Sequence, residues 1–230
     1  MSVLATMVAA KTWDRVWDDL HSKRPWGKYP KEELIRFVAR HFYAVPDRGA
    51  VRFLDLGCGF GASTWYLLRE GFSVDAIDGS AVAIERLRTR LAEEGLHAGL
   101  AVGDIVDLPY PNETFDCALD VACLMCNTPD DSRVILDGVY DRLKPGGRLF
   151  SFTPTPDSTV ERFGAQIAEG TYRSIDEGAF AGGGPVRLST EAAIRSIYSR
   201  FADLQIDRSE YTLNGGAIKV SNWVIEGRKA

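Results

Sequence analysis

A short apolar run passes directly into a glycine-rich turn at residues 53–61, where the sequence is Phe-Leu-Asp-Leu-Gly-Cys-Gly-Phe-Gly. The apolar part, which begins at Val51, is typical of a buried strand. Glycines allow a nucleotide to approach the backbone closely, and a helix that starts beyond them presents unpaired N–H groups. The pattern therefore predicts a strand, a tight turn and a helix that together form a nucleotide site.

Strand-like and helical patterns alternate beyond this turn. Further strands are predicted at 73–78, 99–104, 115–124 and 148–154. The segments between them favour helices at 61–70, 81–94 and 132–143. Strands that alternate with helices of ten or more residues predict βαβ crossovers and a parallel sheet, so the fold class is α/β.

The sequence before Val51 shows helical patterns without intervening strands. Residues 12–22 place Trp13, Trp17 and Leu20 on one helical face, and a second helix is predicted to begin at Pro30. We therefore expect residues 1–50 to form a helical lid or cap segment on the main domain, which would span residues 51–230.

The C-terminal third also departs from the βα rhythm. Residues 155–188 contain Ala-Gly-Gly-Gly-Pro and scattered polar residues, which favours a substrate-covering insertion rather than another βα unit. A helix is predicted at 190–200. The strand-like runs 203–211 and 217–226 flank Leu-Asn-Gly-Gly, which predicts a terminal antiparallel hairpin.

The composition is that of an ordinary globular protein. The chain has 230 residues, 45% of them hydrophobic, and a net charge of −5 from 27 basic and 32 acidic side chains. These values exclude a disordered or fibrous chain. The apolar run Val3–Ala10 is about half as long as a membrane helix, so we expect a soluble, cytoplasmic protein with no membrane partner. The acidic excess argues against a nucleic-acid partner.

The four cysteines do not form a disulfide framework. Cys123 and Cys126 form a C-x-x-C pair, which in another setting would indicate zinc or redox chemistry. No second pair and no suitable histidine pair supplies the further ligands that zinc requires. We therefore expect ordinary thiols at the end of a strand, and no metal site.

Taken alone, the glycine turn has more than one interpretation. Gly57, Gly59 and Ala62 also match the dinucleotide fingerprint, and Asp78 lies at the spacing of an acid that binds ribose hydroxyls. An NAD(P)-dependent oxidoreductase is therefore the alternative enzyme class. A glycine turn that merely packs a helix on a strand is the structural alternative.

Asp55 and several later motifs separate these interpretations, because in combination they resemble the class I S-adenosylmethionine-dependent methyltransferases. The matching elements cover about 100 residues, from 51 to 150, and comprise 53–61, 74–78, 103–105, 108–110, 115–116 and 143–149. The resemblance implies a Rossmann-like, mostly parallel seven-stranded sheet with a C-terminal antiparallel hairpin and helices on both faces. It also implies S-adenosyl-L-methionine as the cofactor.

The resemblance further implies which residues contact the cofactor. The glycine loop would pass beneath the methionine moiety, which Asp55 would orient. Asp78 would accept hydrogen bonds from the ribose hydroxyls, since a carboxylate has two acceptor oxygens. Asp104 and Ile105 would contact the adenine. The expected cofactor-binding set is Asp55, Gly57, Cys58, Gly59, Gly61, Asp78, Gly79, Asp104, Ile105 and Asp120.

The sequence identifies no catalytic base, although His21 and Asp120 are candidates. The candidates for substrate contact are Trp26, Tyr29, Tyr172 and Arg173. The strand-four exit lacks the D-P-P-Y or N-P-P-Y tetrad that resembles nucleic-acid amino methyltransferases. We therefore expect methyl transfer to a small-molecule acceptor. The rival from another class is a catalytically silent cofactor-binding subunit, and the oligomeric state is left open.

Overall fold

The computed structural model describes residues 13–23, 27–160 and 162–230. Helices and strands alternate through most of this part of the chain, with a short 3-10 helix at Leu124–Cys126 and another at Asn214–Gly216. The elements are α1 (Val16–Lys23), α2 (Glu32–Phe42), β1 (Arg52–Leu56), α3 (Ala62–Arg69), β2 (Ser73–Asp78), α4 (Ala81–Glu93), β3 (Gly99–Val102), β4 (Phe115–Val121), α5 (Pro129–Arg142), β5 (Leu143–Pro154), β6 (Ala165–Ala168), β7 (Thr171–Arg173), β8 (Val186–Arg187), α6 (Glu191–Ile197), β9 (Ala202–Leu213) and β10 (Ile218–Arg228).

The main sheet has seven strands in the order β3-β2-β1-β4-β5-β10-β9. The first five pair in parallel, whereas β10 runs antiparallel to both β5 and β9. The strand order reverses beside β1, where the chain passes from β3 to β4. Ligands of open α/β sheets bind outside the carboxyl ends of the strands at such a point. The predicted sheet and its terminal hairpin are confirmed.

Buried side chains cover both faces of this sheet. Alternate residues of β1 point to opposite sides, as the period of a strand requires. Leu54 and Leu56 join a cluster with helices α5 and α6, whereas Phe53 joins a second cluster with α2 and α3. Asp55 shares the side of Phe53, so its carboxylate faces helix α3.

The N-terminal segment is divided differently from the expected 1–50 cap. Helix α2 buries Leu34, Phe37, Val38 and Phe42 in the core on the α3 side of the sheet. Residues 32–42 are therefore part of the body of the domain. Helix α1 does lie over the sheet edge, as described below.

The 155–188 segment also has more structure than the sequence indicated. Strands β6, β7 and β8 form a small antiparallel sheet in that order. Its apolar side chains Val160, Tyr172, Ile175, Val186 and Leu188 form one cluster with Met125 of the turn after β4. The insertion is therefore a folded element that packs on the main domain. Among the described residues, no helix has both the length and the apolar character needed to cross a bilayer.

Candidate active site

A cavity of about 610 Å³ lies along the carboxyl edge of the parallel strands. One part of it, here called the β2 side, is lined by the ends of β1 and β2 and by the loop after β3. The other part, the β10 side, is lined by the end of β5, by β10 and by the start of α2. Three strand spacings of about 4.8 Å separate β1 from β10, so the cavity is long enough for two ligands side by side.

The glycine loop forms the floor of the β2 side. Gly57 and Gly59 both have positive φ, at 58° and 51°, which is the backbone region that glycine favours. A Cβ on Gly57 would lie 2.2 Å from Sγ of Cys123. The Gly59 N–H donates to Oδ2 of Asp78 at 2.9 Å. The loop therefore packs closely against the ends of β4 and β2. Cys58, between the two glycines, lines the cavity.

Gly61 has a different place from the one expected. It is the N-cap of α3 with φ 71°, and a Cβ there would lie 2.2 Å from Cδ1 of Leu87. Gly61 is not among the residues that line the cavity. Its backbone packs closely against Leu87 of α4.

Asp78 ends β2 with its carboxylate on the cavity wall. Besides the bond from Gly59, its Oδ1 accepts from the Ser80 N–H at 2.8 Å. Each carboxylate oxygen has two acceptor sites, so both oxygens retain capacity for a ligand hydroxyl. Gly79 follows directly and also lines the cavity.

Asp104 and Ile105 line the far end of the β2 side, as expected. The Asp104 Oδ1 accepts from the backbone N–H of Val106 at 3.2 Å, and its Oδ2 accepts from the backbone N–H of Trp13 at 3.0 Å. The side chain of Ile105 is buried. The acid expected at the adenine is thus also a contact point for the segment before α1.

Asp55 is buried at the floor of the cavity. Its Oδ2 accepts from the Thr64 hydroxyl at 2.6 Å. Burial is the dominant effect and raises the pKa of Asp55 to about 7, although the bond from Thr64 opposes the change. A cationic group bound beside Asp55 would favour the ionised carboxylate.

Asp120 was expected as a cofactor ligand or a catalytic base, but its side chain does not reach the cavity. Its side chain is 0% exposed and is absent from the cavity wall. Oδ1 accepts from the N–H groups of Cys123 at 3.0 Å and Leu124 at 2.9 Å, and Oδ2 accepts from the Ser151 hydroxyl. Ser151 also contacts the Tyr198 hydroxyl at 2.8 Å. Asp120 therefore fixes the turn after β4 and does not line the cavity.

His21, the other base candidate, lies on the β2 side. Its ring packs on Phe60 with centroids 5.0 Å apart, and its Nε2 lies 3.9 Å from where a Cβ of Gly59 would be. Burial is the largest influence and lowers the pKa of His21, against the opposing charge of Asp78. The ring lines the cavity next to the expected ribose acid, away from the β10 side.

Helix α1 and the small sheet cover this cavity from outside. The Trp13 ring lies against Gly79, where a Cβ would be 1.9 Å from Cδ1 of the indole. The Ser80 hydroxyl donates to Oδ1 of Asp18 at 2.6 Å. The Trp17 ring packs on Gly184 of the insertion, with 2.8 Å from Cζ2 to the position of a Cβ. Both covering pieces therefore contact each other as well as the domain.

The residues expected to contact the substrate lie at different places relative to the cavity. Tyr29 lines the cavity and is 70% exposed. Tyr172 is buried in the cluster of the small sheet and does not line the cavity. Arg173 forms an ion pair with Asp14 at 2.9 Å, which joins the small sheet to the segment before α1. Trp26 lies outside the described residues.

The sequence missed most of the β10 side. Its unpredicted lining residues include Lys31, Phe152, Tyr211 and Asn222. Phe152 could have been found, because it lies near the carboxyl end of a predicted parallel strand. Asn222 is a polar residue within the apolar strand Val-Ser-Asn-Trp-Val-Ile, which is also a usable signal. The sequence around Lys31 and Tyr211 contains no signal that would have identified them as cavity residues.

The residues of the β2 side fit an amine-rich cationic nucleoside. Three carboxylates line this part of the cavity, those of Asp55, Asp78 and Asp104. The position of a Cβ on Gly59 has no neighbour nearer than the 3.9 Å of His21, so the bare backbone leaves room for a ligand there. Among the described residues, no group of three or more candidate side chains is placed to hold a metal ion.

Comparisons with known proteins agree with this geometry. Residues 53–147 match a family model described as a methyltransferase domain. The cypemycin N-terminal methyltransferase of a Streptomyces species is 32% identical over 62% of this chain and 56% of its own. The ubiquinone biosynthesis O-methyltransferase of Xylella fastidiosa is 39% identical over 47% of this chain and 44% of its own. The matches thus span about half the length of these relatives. A tRNA methyltransferase also matches, so the relatives do not share one class of acceptor.

The fold has solved counterparts. A SAM-dependent methyltransferase from Methanosarcina mazei superimposes with a TM-score of 0.68 over 83% of this chain and 96% of its own, at 24% identity. The sheet order, the glycine loop with its acids, and the family model all lead to one assignment. Residues 53–147 match the methyltransferase domain family, and the fold of the chain is that of the class I S-adenosylmethionine-dependent methyltransferases.

Proposed function

We propose that this protein transfers a methyl group from S-adenosyl-L-methionine to a small-molecule acceptor. The observation that supports this most strongly is the covered cavity, whose β2 side has the acids and glycines of a cofactor site. The adjoining β10 side provides a separate chamber for the acceptor. The cover formed by α1 and the small sheet favours an acceptor small enough to be enclosed.

Residues of the β2 side would hold the cofactor. Asp78 would accept from the ribose hydroxyls with the capacity that its two backbone bonds leave. Asp104 would contact the adenine amino group, and Asp55 the methionine amino group. When bound, the cofactor would supply a methyl group on a positively charged sulfur, which is a good leaving group because it departs as a neutral thioether.

The chain's own residues would contribute mainly alignment. Holding two reactants in the correct geometry is worth up to about 7–11 kcal/mol in favourable cases. The cover would limit the access of water, and the floor would fix the approach between the two sides of the cavity. A base is needed only where the acceptor must lose a proton. We assign no residue to that role, because Asp120 is turned away and His21 lies on the β2 side.

The raised pKa of Asp55 makes cofactor binding depend on pH. The ligand's amino group is cationic and prefers ionised Asp55, whose pKa is about 7 in the free protein. Binding of S-adenosylhomocysteine should therefore tighten about tenfold between about pH 6 and pH 8. Asp55→Asn should flatten that part of the profile, as measured by calorimetric titration. An identical pH profile in the variant would contradict this assignment.

The same pKa has a consequence for stability without ligand. Because the folded pKa of Asp55 lies above the ordinary value of 3.8, the protonated form stabilises the fold. That contribution is present at low pH and is lost as the pH rises through about 7. Asp55→Asn should therefore unfold at a higher temperature than the parent protein above that pH, with little difference near pH 4.

Incorporation of a labelled methyl group tests the proposed activity. The full-length protein, supplied with methyl-labelled S-adenosylmethionine, is offered a metabolite extract, bulk tRNA and short peptides in parallel. The proposal expects label in the low-molecular-weight fraction. Label only in tRNA or peptides would contradict the small acceptor. Tight cofactor binding with no transfer to any fraction would instead favour the silent cofactor-binding subunit.

A further inference from the structure

The two sides of the cavity differ in charge. The β2 side has three carboxylates, whereas the β10 side is mainly apolar and aromatic with one lysine. Its lining includes Lys31, Phe152, Phe180, Tyr211 and Asn222. A chamber of this kind accommodates a flat or apolar body, and its few polar groups determine which functional groups the ligand must carry.

Lys31 directs its charge toward this chamber. The residue is the N-cap of α2, directly after Pro30, and its Nζ lies 5.8 Å from the centre of the Phe152 ring. Phe152 is buried and lines the cavity, so the ammonium group sits over the cavity wall. Within the described part of the chain, no carboxylate lies within ion-pair distance of Lys31.

The acids nearest to the β10 side already have partners. Asp14 lines the cavity but pairs with Arg173 at 2.9 Å. Glu33 accepts from the Ser209 hydroxyl, and Glu210 pairs with Lys219 at 3.0 Å. Neither glutamate lines the cavity. Lys31 is exposed to solvent and has no acidic partner among the described residues, so its charge is available to a ligand.

Asn222 provides a second polar group on the same side. Its side chain is 4% exposed and lines the cavity. The part of the chain that the structure describes gives its amide no hydrogen-bond partner. The amide is therefore available to a ligand in the cavity. On β10, Asn222 shares the strand face of Val220, which also lines the cavity.

We propose that the methyl acceptor is a small molecule with a flat apolar body and an anionic group, which pairs with the Lys31 ammonium and accepts a hydrogen bond from the Asn222 amide. The inference rests on the proposed methyl transfer, because it identifies the β10 side as the acceptor chamber. A cationic acceptor would have no free carboxylate to meet in that chamber.

Three matched probes test the charge preference on protein saturated with S-adenosylhomocysteine. They are 4-hydroxybenzoate, 4-hydroxybenzamide and 4-hydroxybenzylamine, which at about pH 7.5 are an anion, a neutral molecule and a cation. Titration should give the carboxylate at least about fivefold higher affinity than the amide, and the amine the lowest affinity. Equal affinities, a preference for the amine, or no saturable binding of the carboxylate overturns the proposal.

Variants assign the preference to residues. Lys31→Gln should weaken binding of the carboxylate about three- to tenfold and leave the amide unchanged, and Lys31→Glu should shift the preference toward the amine. Lys28→Gln is the matched control, because the Lys28 ammonium lies over the Trp65 ring at 5.7 Å but outside the main cavity. Asn222→Leu should weaken both the carboxylate and the amide.

Two failures are distinguishable in this design. If S-adenosylhomocysteine does not bind, the proposed function fails before any probe is added. If it binds normally but Lys31→Gln binds the carboxylate as tightly as Lys28→Gln does, the acceptor inference fails and the proposed function stands. Thermal unfolding of each variant excludes loss of fold as the cause.

Discussion

Replacing Asp78 by asparagine is expected to weaken binding of S-adenosylhomocysteine about 100-fold. Hydrogen bonds to a charged acceptor are worth about 1.5–3 kcal/mol each, and Asp78 would accept from two ribose hydroxyls. The exchange also removes one oxygen from a carboxylate that holds the Gly59 and Ser80 N–H groups. Calorimetric titration measures the loss directly.

Asp75→Asn is the matched control for this variant. Asp75 lies on the same strand, three residues or about 10 Å before Asp78, and pairs with Arg52 at 2.6 Å. It does not line the cavity. The same chemical change there should leave the affinity within about twofold of the parent. Equal losses in the two variants would mean that the effect reflects the strand and not the ligand.

The second large effect is expected at Gly57. A left-handed backbone costs a residue with a Cβ about 1–2 kcal/mol, and the new carbon would lie 2.2 Å from Sγ and 2.8 Å from Cβ of Cys123. Cys123 cannot easily move, because its N–H is bonded to buried Asp120. Gly57→Ala should therefore destabilise the fold by about 2–4 kcal/mol and abolish measurable cofactor binding.

Gly146→Ala separates the cost of the left-handed backbone from the cost of the contact with Cys123. Gly146 also has a positive φ, 76°, but a Cβ there would have no neighbour within 4 Å. This variant should lose only the backbone cost of about 1–2 kcal/mol and should bind S-adenosylhomocysteine normally. Denaturant unfolding and titration of both proteins check the prediction. Equal stabilities of the two alanine variants would contradict the role of the contact with Cys123.

The sequence predicted the β2 side because this part is built from local patterns. Asp55, Gly57 and Asp78 lie where apolar strands end, and the carboxyl ends of parallel strands meet at one edge. The glycine loop and its neighbouring acids are therefore close together in any fold of this class. Their contacts with a cofactor remain predictions.

Asp120 shows the limit of that reasoning. It also ends a strand, but its side chain shares the face of Ala118, toward α5 and α6 and the Tyr198 hydroxyl. Which face a strand-end side chain takes depends on register, and a shift of one residue reverses it. The β4 sequence places Asp116, Ala118 and Asp120 on one face and the larger apolar residues on the other, but it does not say which face packs on α5 and α6.

The β10 side was not predictable because its parts are distant in the chain. Lys31, Phe152, Tyr211 and Asn222 come from four separate elements, and only the return of β10 beside β5 brings them together. Tyr172 illustrates the converse case. The small sheet buries it, and that sheet depends on pairings that the loop-like composition of 155–188 does not indicate.

One titration tests the central claim most directly. The purified full-length protein is titrated in a calorimeter with S-adenosylhomocysteine and, separately, with NADH and NADPH. We expect one saturable site per chain for S-adenosylhomocysteine, weakened about 100-fold in Asp78→Asn and retained in Asp75→Asn, and no saturable binding of either dinucleotide. Saturable binding of NADH or NADPH, with no affinity for S-adenosylhomocysteine, would contradict it.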